Sequence, residues 1–286
     1  MKVIRFPQNP IIRPDMDGRT GTNVNGPSLI RAPDWLPGAL GRYYLYFAHH
    51  RGLYVRLAVT DRLEGPWRMH EPGVLPLADS LCAKHVASPD VHVDHERREI
   101  RMYYHGPVPD MGQRSRVAIS NDGLAFAPLP ETIGTPYFRV FRWHGWHWAI
   151  ARYGHTFRSL DGLVGWECGP DLFPESFRHN AVRLVGGRLS IYYSMIGDCP
   201  ERILRATVDL SPDWTAWRPS LPEVVLEPEL PYEGADLPLR PSIEGWAPER
   251  VRQLRDPAIY EEDGRVYLLY SVAGEAGIAI GEIAGG

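Results

Sequence analysis

Along most of the chain, apolar and polar positions alternate over short runs that end at clusters of Gly, Pro or charge, which is the pattern of strands between tight turns. Five runs are rich in aromatic residues: Arg42–Phe47, Ile100–Tyr104, Trp146–Ile150, Leu189–Tyr193 and Val266–Tyr270. Each follows an apolar run, at Pro27–Ile30, Asp90–Val93, Phe138–Arg142, Ala181–Val185 and Ala258–Tyr260. A third strand is expected at Tyr54–Thr60, Arg116–Asn121, His155–Ser159, Ile203–Val208 and Gly277–Ile283, and a fourth near Trp67–His70, Phe126–Leu129, Trp166–Cys168 and Trp217–Pro219. Helical periodicity is nearly absent. The best candidate helix, Glu244–Leu254, is short and contains Pro248.

Units of roughly 40–50 residues with four strands each are the signature of a β-propeller. The pattern predicts an all-β, five-bladed propeller occupying residues 1–286 as a single domain. The last unit stops after its third strand, and Val3–Phe6 is an apolar stretch without a partner in the first unit. The N-terminal segment is therefore expected to pair in the last blade, closing the ring and covering a bare edge. Alternation alone would also fit a sandwich of similar strand count.

Composition agrees with many short strands: 28 Gly, 27 Pro, 9 Trp and 14 Tyr favour turns and strands over long helices. A net charge of −4 without any run of Lys or Arg argues against a nucleic-acid partner. No apolar run approaches a membrane span, and Met1–Pro7 is too polar for a signal peptide. A cytoplasmic protein with no membrane partner is the expectation, and the oligomeric state stays open. Cys82, Cys168 and Cys199 lack Cys-x-x-Cys spacing and imply neither a disulfide framework nor a zinc site.

In a propeller, the starts of first strands and the ends of second strands share one face. That face carries Asp90 after Ser88-Pro89, Asp256 before Pro257, and Glu201 and Glu275 just beyond second strands. It also carries His49, His50, His105, His155 and His179, with Arg139 and Arg255. Trp246, in a Pro-rich stretch from Leu221 to Arg252, is placed to stack on a sugar ring. Charged groups near a narrow axis are costly unless they pair with each other or with a ligand, so a convergent polar cleft is expected there. Carboxylates reaching one channel from different blades suit acid/base hydrolysis of a glycosidic bond, which needs one group protonated and one ionised. Arg139 and Arg255 could hold an anion, or could neutralise Asp90 and Asp256. The histidines lack the spacing of a known metal motif.

Three strings, Ser88-Pro89-Asp90-Val91, Arg255-Asp256-Pro257-Ala258-Ile259 and the Gly-x-Tyr-Tyr-Leu-Tyr second strand from Gly41, resemble those of five-bladed propeller glycosidases of families 43, 32, 62 and 117. The resemblance implies a glycoside hydrolase acting on a small glycoside or oligosaccharide. It gives Asp90 the place of the residue that tunes the acid's pKa. The usual base position holds Gly26, and the third blade offers Tyr137-Phe138-Arg139 in place of a Glu. Asp256 is then the candidate base and Glu201 or Glu275 the candidate acid, with the histidines and arginines holding the carbohydrate. No cofactor is required, and a structural or channel Ca2+ is compatible with this reading. The alternatives are a catalytically silent carbohydrate-binding propeller and a metal-dependent hydrolase using the histidines.

Overall fold

The aromatic runs form the second strand of each of five antiparallel sheets, each four strands wide. The computed structural model describes residues 1–14, 16–18 and 20–285. The N-terminal strand is β1 (Lys2–Arg5). The first blade is β2 (Asn25–Arg31), β3 (Tyr43–Ala48), β4 (Tyr54–Thr60) and β5 (Arg68–Pro76); the second is β6 (Ala87–Asp94), β7 (Glu99–Val108), β8 (Gly112–Ser120) and β9 (Ala127–Pro128). The third is β10 (Arg139–Trp143), β11 (Trp146–Ile150), β12 (His155–Ser159) and β13 (Glu167–Asp171); the fourth is β14 (Phe177–Val185), β15 (Arg188–Met195), β16 (Ile203–Asp209) and β17 (Glu223–Leu226). The fifth holds β18 (Arg255–Glu262), β19 (Arg265–Ser271) and β20 (Ile278–Ala284), with β1 as its outer strand. The protein is a five-bladed β-propeller, and among the described residues its only helical pieces are three short 3-10 turns.

Each sheet is covered on both faces by its neighbours, which explains the continuous apolar reading of the second strands. All six residues of β3 are buried. Tyr44, Tyr46, Met102 and Tyr104 fill the junction of blades one and two, while Leu45, Phe47, Leu269 and Ile280 fill that of blades five and one. The other three junctions hold separate apolar clusters of the same kind. Burying one such side chain contributes about 1.5–3 kcal/mol, so the blade junctions dominate the stability of the ring.

Ring closure follows the expected route. β1 pairs antiparallel with β20, Val3 opposite Ile283 and Arg5 opposite Gly281. A clasp reinforces it: Arg5 donates from Nε to Glu233 Oε1 at 2.7 Å and from Nη2 to Oε2 at 3.2 Å. Glu233 is fully buried and also accepts from Tyr270 Oη at 2.9 Å and from the backbone N–H groups of Glu229 and Leu230.

Two expectations are corrected. The fourth strand of blade four is Glu223–Leu226 and not Trp217–Pro219. Asp213 accepts from Thr215 N and caps a 3-10 turn over Trp214–Ala216, which drops Trp217 into the apolar cluster between blades three and four. Glu244–Leu254 is not helical: Gly245 has φ +87° and Pro248 lacks a donor, so the segment crosses the channel face as irregular chain.

Candidate active site

The inner strands enter the axis through a shared kink. Gly26, Ser88, Tyr137 and Asp256 all have left-handed backbones, with φ between +47° and +65°. At three of them the pairing register slips, between Asn25 and Ser28, Ala87 and Asp90, and Arg255 and Ala258. In those three the next residue is proline, which donates no hydrogen bond and fixes the chain behind the kink. A left-handed backbone costs a non-glycine residue roughly 1–2 kcal/mol, so Ser88, Tyr137 and Asp256 are held there by their surroundings. Gly26 meets a second constraint: a Cβ there would lie 3.0 Å from Ser88 Cα in the next blade, so a larger residue requires the two blades to give by a few tenths of an ångström.

The kinks turn Ser88, Tyr137 and Asp256 into a small cavity at the mouth of the channel, joined by Asn25, His50, His85, His105, Gln113, His179 and Glu275. Two carboxylate–imidazole pairs face it. His179 Nδ1 lies 3.0 Å from Asp256 Oδ1, out of line for a full hydrogen bond, and Ser271 Oγ donates to Asp256 Oδ2 at 3.0 Å. His50 Nδ1 lies 3.6 Å from Glu275 Oε2. Tyr137 stands beside the first pair, its ring 4.3 Å from that of His105 and 4.6 Å from that of His179.

Burial pulls the carboxyl groups toward the neutral form, yet charge wins at both. Desolvation raises Asp256, but His179, Arg178 and Arg255 hold it far below the usual carboxylate range. Glu275 is likewise lowered, against its burial, by His50 and Arg255. Burial lowers His179 despite Asp256, and lowers His105 well below an ordinary imidazole. Burial pushes the Tyr137 phenol up to about 12. At neutral pH the mouth thus holds two carboxylates, neutral rings at His85, His105 and His179 and a protonated phenol, and no carboxylic acid.

Behind the mouth runs a buried ladder of alternating charge. Arg178 Nη1 bonds Glu201 Oε2 at 3.0 Å, Arg255 Nε lies 3.0 Å from the same oxygen, and Arg255 Nη1 bonds Glu275 Oε1 at 3.0 Å. Both arginines also donate to the carbonyl of Gly245. They thereby fix the loop whose next residue, Trp246, lies under the Arg51 guanidinium and beside His50. Asn23 and Asn25 complete the support by donating to Glu275 Oε2.

Several expected site residues lie elsewhere. Glu201 is fully buried and does not reach the cavity; it is the counter-charge of two arginines. Arg255 neutralises Glu201 and Glu275 directly, with Asp256 as its neighbour in charge. Asp90 is not at the mouth, because it sits two residues beyond the kink at Ser88. It lines a second cavity, of about 390 Å³, formed by the far halves of the inner strands. Arg139 also lines this second cavity, donating from Nε to Asn180 O and from Nη1 to the carbonyls of Ser88, Pro89 and Phe138, so it staples three blades. His49 accepts from Arg51 N and lies against Gly21, and His155 contacts Thr135 and Asp171; neither lines the mouth.

Against known proteins, the chain is 38% identical over 97% of its length, and 89% of the other, to "Uncharacterized protein R118" of Acanthamoeba polyphaga mimivirus. It belongs to that protein's family. No protein-family model matches it. Among solved structures, a family 43 glycoside hydrolase of Xanthomonas citri complexed with xylotriose is similar with a TM-score of 0.64 and 16% identity, covering 93% of this chain and 88% of that one. A glycosyl hydrolase of Bacteroides ovatus gives a TM-score of 0.72 at 11% identity, covering 98% and 92%. A family 43 β-xylosidase/α-arabinofuranosidase from a compost metagenome, complexed with xylotriose in a calcium-free form, gives 0.62 at 15%, covering 91% of each chain. At these identities the likeness is one of fold.

In this member of the viral protein's family, no three His, Cys, Asp or Glu side chains converge on a metal position among the described residues. Sequence patterns gave no role to Tyr137, Ser88, Gln113 or Asn25. A signal existed for Tyr137: it occupies in blade three the place that Gly-Pro, Ser-Pro and Asp-Pro mark in three other blades.

Proposed function

We propose that the protein is a glycoside hydrolase whose reaction is carried at the mouth by the Asp256–His179 and Glu275–His50 pairs. The observation that supports this most is their convergence on one cavity, at the axis of a fold shared with glycosidases. With Nδ1 turned to Asp256, His179 has Nε2 left to take a proton from the attacking water, and Asp256 stabilises the imidazolium that forms. His50, nearer solvent, gives a proton to the departing glycosidic oxygen, with Glu275 stabilising the imidazolium. Water adds to the anomeric carbon as the C–O bond breaks, and the free sugar, a hemiacetal, and the alcohol of the leaving group depart. Both fixed carboxylates favour the positive charge that develops on the sugar.

The mouth cavity measures only about 10 Å³, room for about one water. A glycoside enters when the Tyr137 ring and the loop bearing Trp246 move outward. Two of the solved neighbours named above are complexed with xylotriose, which makes short xylo-oligosaccharides and arabinosides the first substrates to try.

The test is a panel of aryl xylosides, arabinofuranosides and hexosides. Wild-type protein is expected to turn over at least one, and Asp256→Asn and His179→Asn to lose about 10²–10⁴-fold in kcat with unchanged circular dichroism. No turnover of any member, or full activity in folded Asp256→Asn, would overturn the proposal; sugar binding without turnover would identify a carbohydrate-binding propeller.

A further inference from the structure

The larger opening lies at the other end of the axis, and the hydrolytic proposal leaves it unused. Its volume of about 390 Å³ falls within the range of small-molecule sites, which the mouth does not. Aliphatic side chains from four blades, among them Leu29, Val140, Val182 and Ile259, form its walls.

Its polar floor is unusual. Asp90 Oδ2 accepts from Val140 N at 2.8 Å and contacts His92 Nε2 at 2.8 Å, while no hydrogen bond reaches Oδ1 among the described residues. Arg139 is 96% buried, its relative exposure being 4%, and its Nε and Nη1 are spent on carbonyls. No bond reaches Nη2 among the described residues, and the residue lines this cavity. A free carboxylate oxygen, a free guanidinium donor and the His92 ring therefore line one cavity, whose aliphatic walls are interrupted by Arg31, His95, Glu261 and Glu262. The lining sets Asp90, Glu261 and Glu262 against Arg31 and Arg139, so neither sign of charge dominates, which argues against a strongly charged ligand.

We infer that this far cavity binds a small neutral polyol through two adjacent hydroxyls. One hydroxyl donates to Asp90 Oδ1 and the next accepts from Arg139 Nη2, with His92 closing the third side. The C–H face of the ligand packs on the aliphatic walls. A carboxylate oxygen and a guanidinium group lining one cavity suit the donor and acceptor sides of a vicinal diol, and leaving either buried group unpaired is costly.

The probe is myo-inositol, which has no glycosidic bond, with D-xylose as a second diol and cyclohexanol as the control without one. Binding is followed by titration calorimetry and by the histidine ring resonances, the His92 signal being assigned by His92→Gln. Expected are saturable binding of myo-inositol, displacement of the His92 resonance and no binding of cyclohexanol. Asp90→Asn and His92→Ala should each weaken the complex about tenfold or more, and Asp256→Asn should leave it intact. Should Asp90→Asn fail to fold, His92→Ala decides alone, since His92 is 40% exposed. No saturation by either diol, equal binding of cyclohexanol, or shifts confined to His50 and His179 would overturn the inference. Because myo-inositol is not hydrolysed, these outcomes are separate from success or failure of the glycosidase assay.

Discussion

Replacing Glu233 by Gln keeps the size of a side chain on which ring closure depends and removes its charge. The carboxylate accepts two bonds from Arg5, one from Tyr270 and two from backbone N–H groups, with no exposure to solvent. An amide can serve only part of that donor set, because its NH2 group faces donors on at least one side. Breaking a buried pair from one side costs about 3–5 kcal/mol. Arg5 is 16% exposed and keeps Glu229 at 3.0 Å, so the lower end applies, about 3 kcal/mol. For a chain of this length, that lowers the melting temperature by about 6–9 °C, at roughly 2–3 °C per kcal/mol. The assay is differential scanning calorimetry, with hydrogen exchange at Val3–Arg5 reporting whether β1 is the element released. Glu229→Gln is the control: that side chain is 66% exposed and its loss should cost less than about 1 kcal/mol. A melting point for Glu233→Gln within about 1 °C of wild type, or faster exchange everywhere except in β1, would refute the reasoning.

Two further outcomes follow from the mouth. Gly26→Ala should destabilise the protein by about 1–3 kcal/mol, from the left-handed backbone and the 3.0 Å approach to Ser88, read as a shift in urea midpoint; an unchanged midpoint would mean the blades can separate there. Burial lowers the folded-state pKa of His85, His105 and His179, so below about 6.5 the unfolded chain binds more protons and stability falls as pH drops. Asp256 and Glu275, also lowered, add a second loss only below about pH 4. His105→Phe should flatten the first slope, and urea midpoints at about pH 7.5 and 5.5 measure it; an identical slope would contradict the burial account.

The ring itself was legible because each blade repeats the same contrast between an aromatic second strand and a turn of Gly or charge, and because the last unit visibly lacked a strand that Val3 to Phe6 could supply. Blade four misled at its outer strand. There Trp217 looked like an alternating strand residue, but Asp213 caps a turn that buries its ring between sheets. The channel face was legible as a set of polar residues and not as a geometry. Asp90 and Asp256 both adjoin a proline, yet one precedes it at the kink and the other follows it, and those two residues carry Asp90 to the far cavity. Glu201 and Glu275 both follow second strands, but only one reaches the mouth; the other is enclosed by Arg178 and Arg255, whose positions depend on three different segments. Such pairings are tertiary, and no local pattern encodes them.

The central claim is that a glycoside reacts at the mouth between the two carboxylate–imidazole pairs. The most direct measurement is a crystal structure of Asp256→Asn soaked with xylotriose. The account predicts a sugar ring between residue 256 with His179 and Glu275 with His50, with Tyr137 or Trp246 displaced to admit it. Xylotriose seated only in the far cavity beside Asp90, or a mouth that stays closed at saturating sugar, would contradict it.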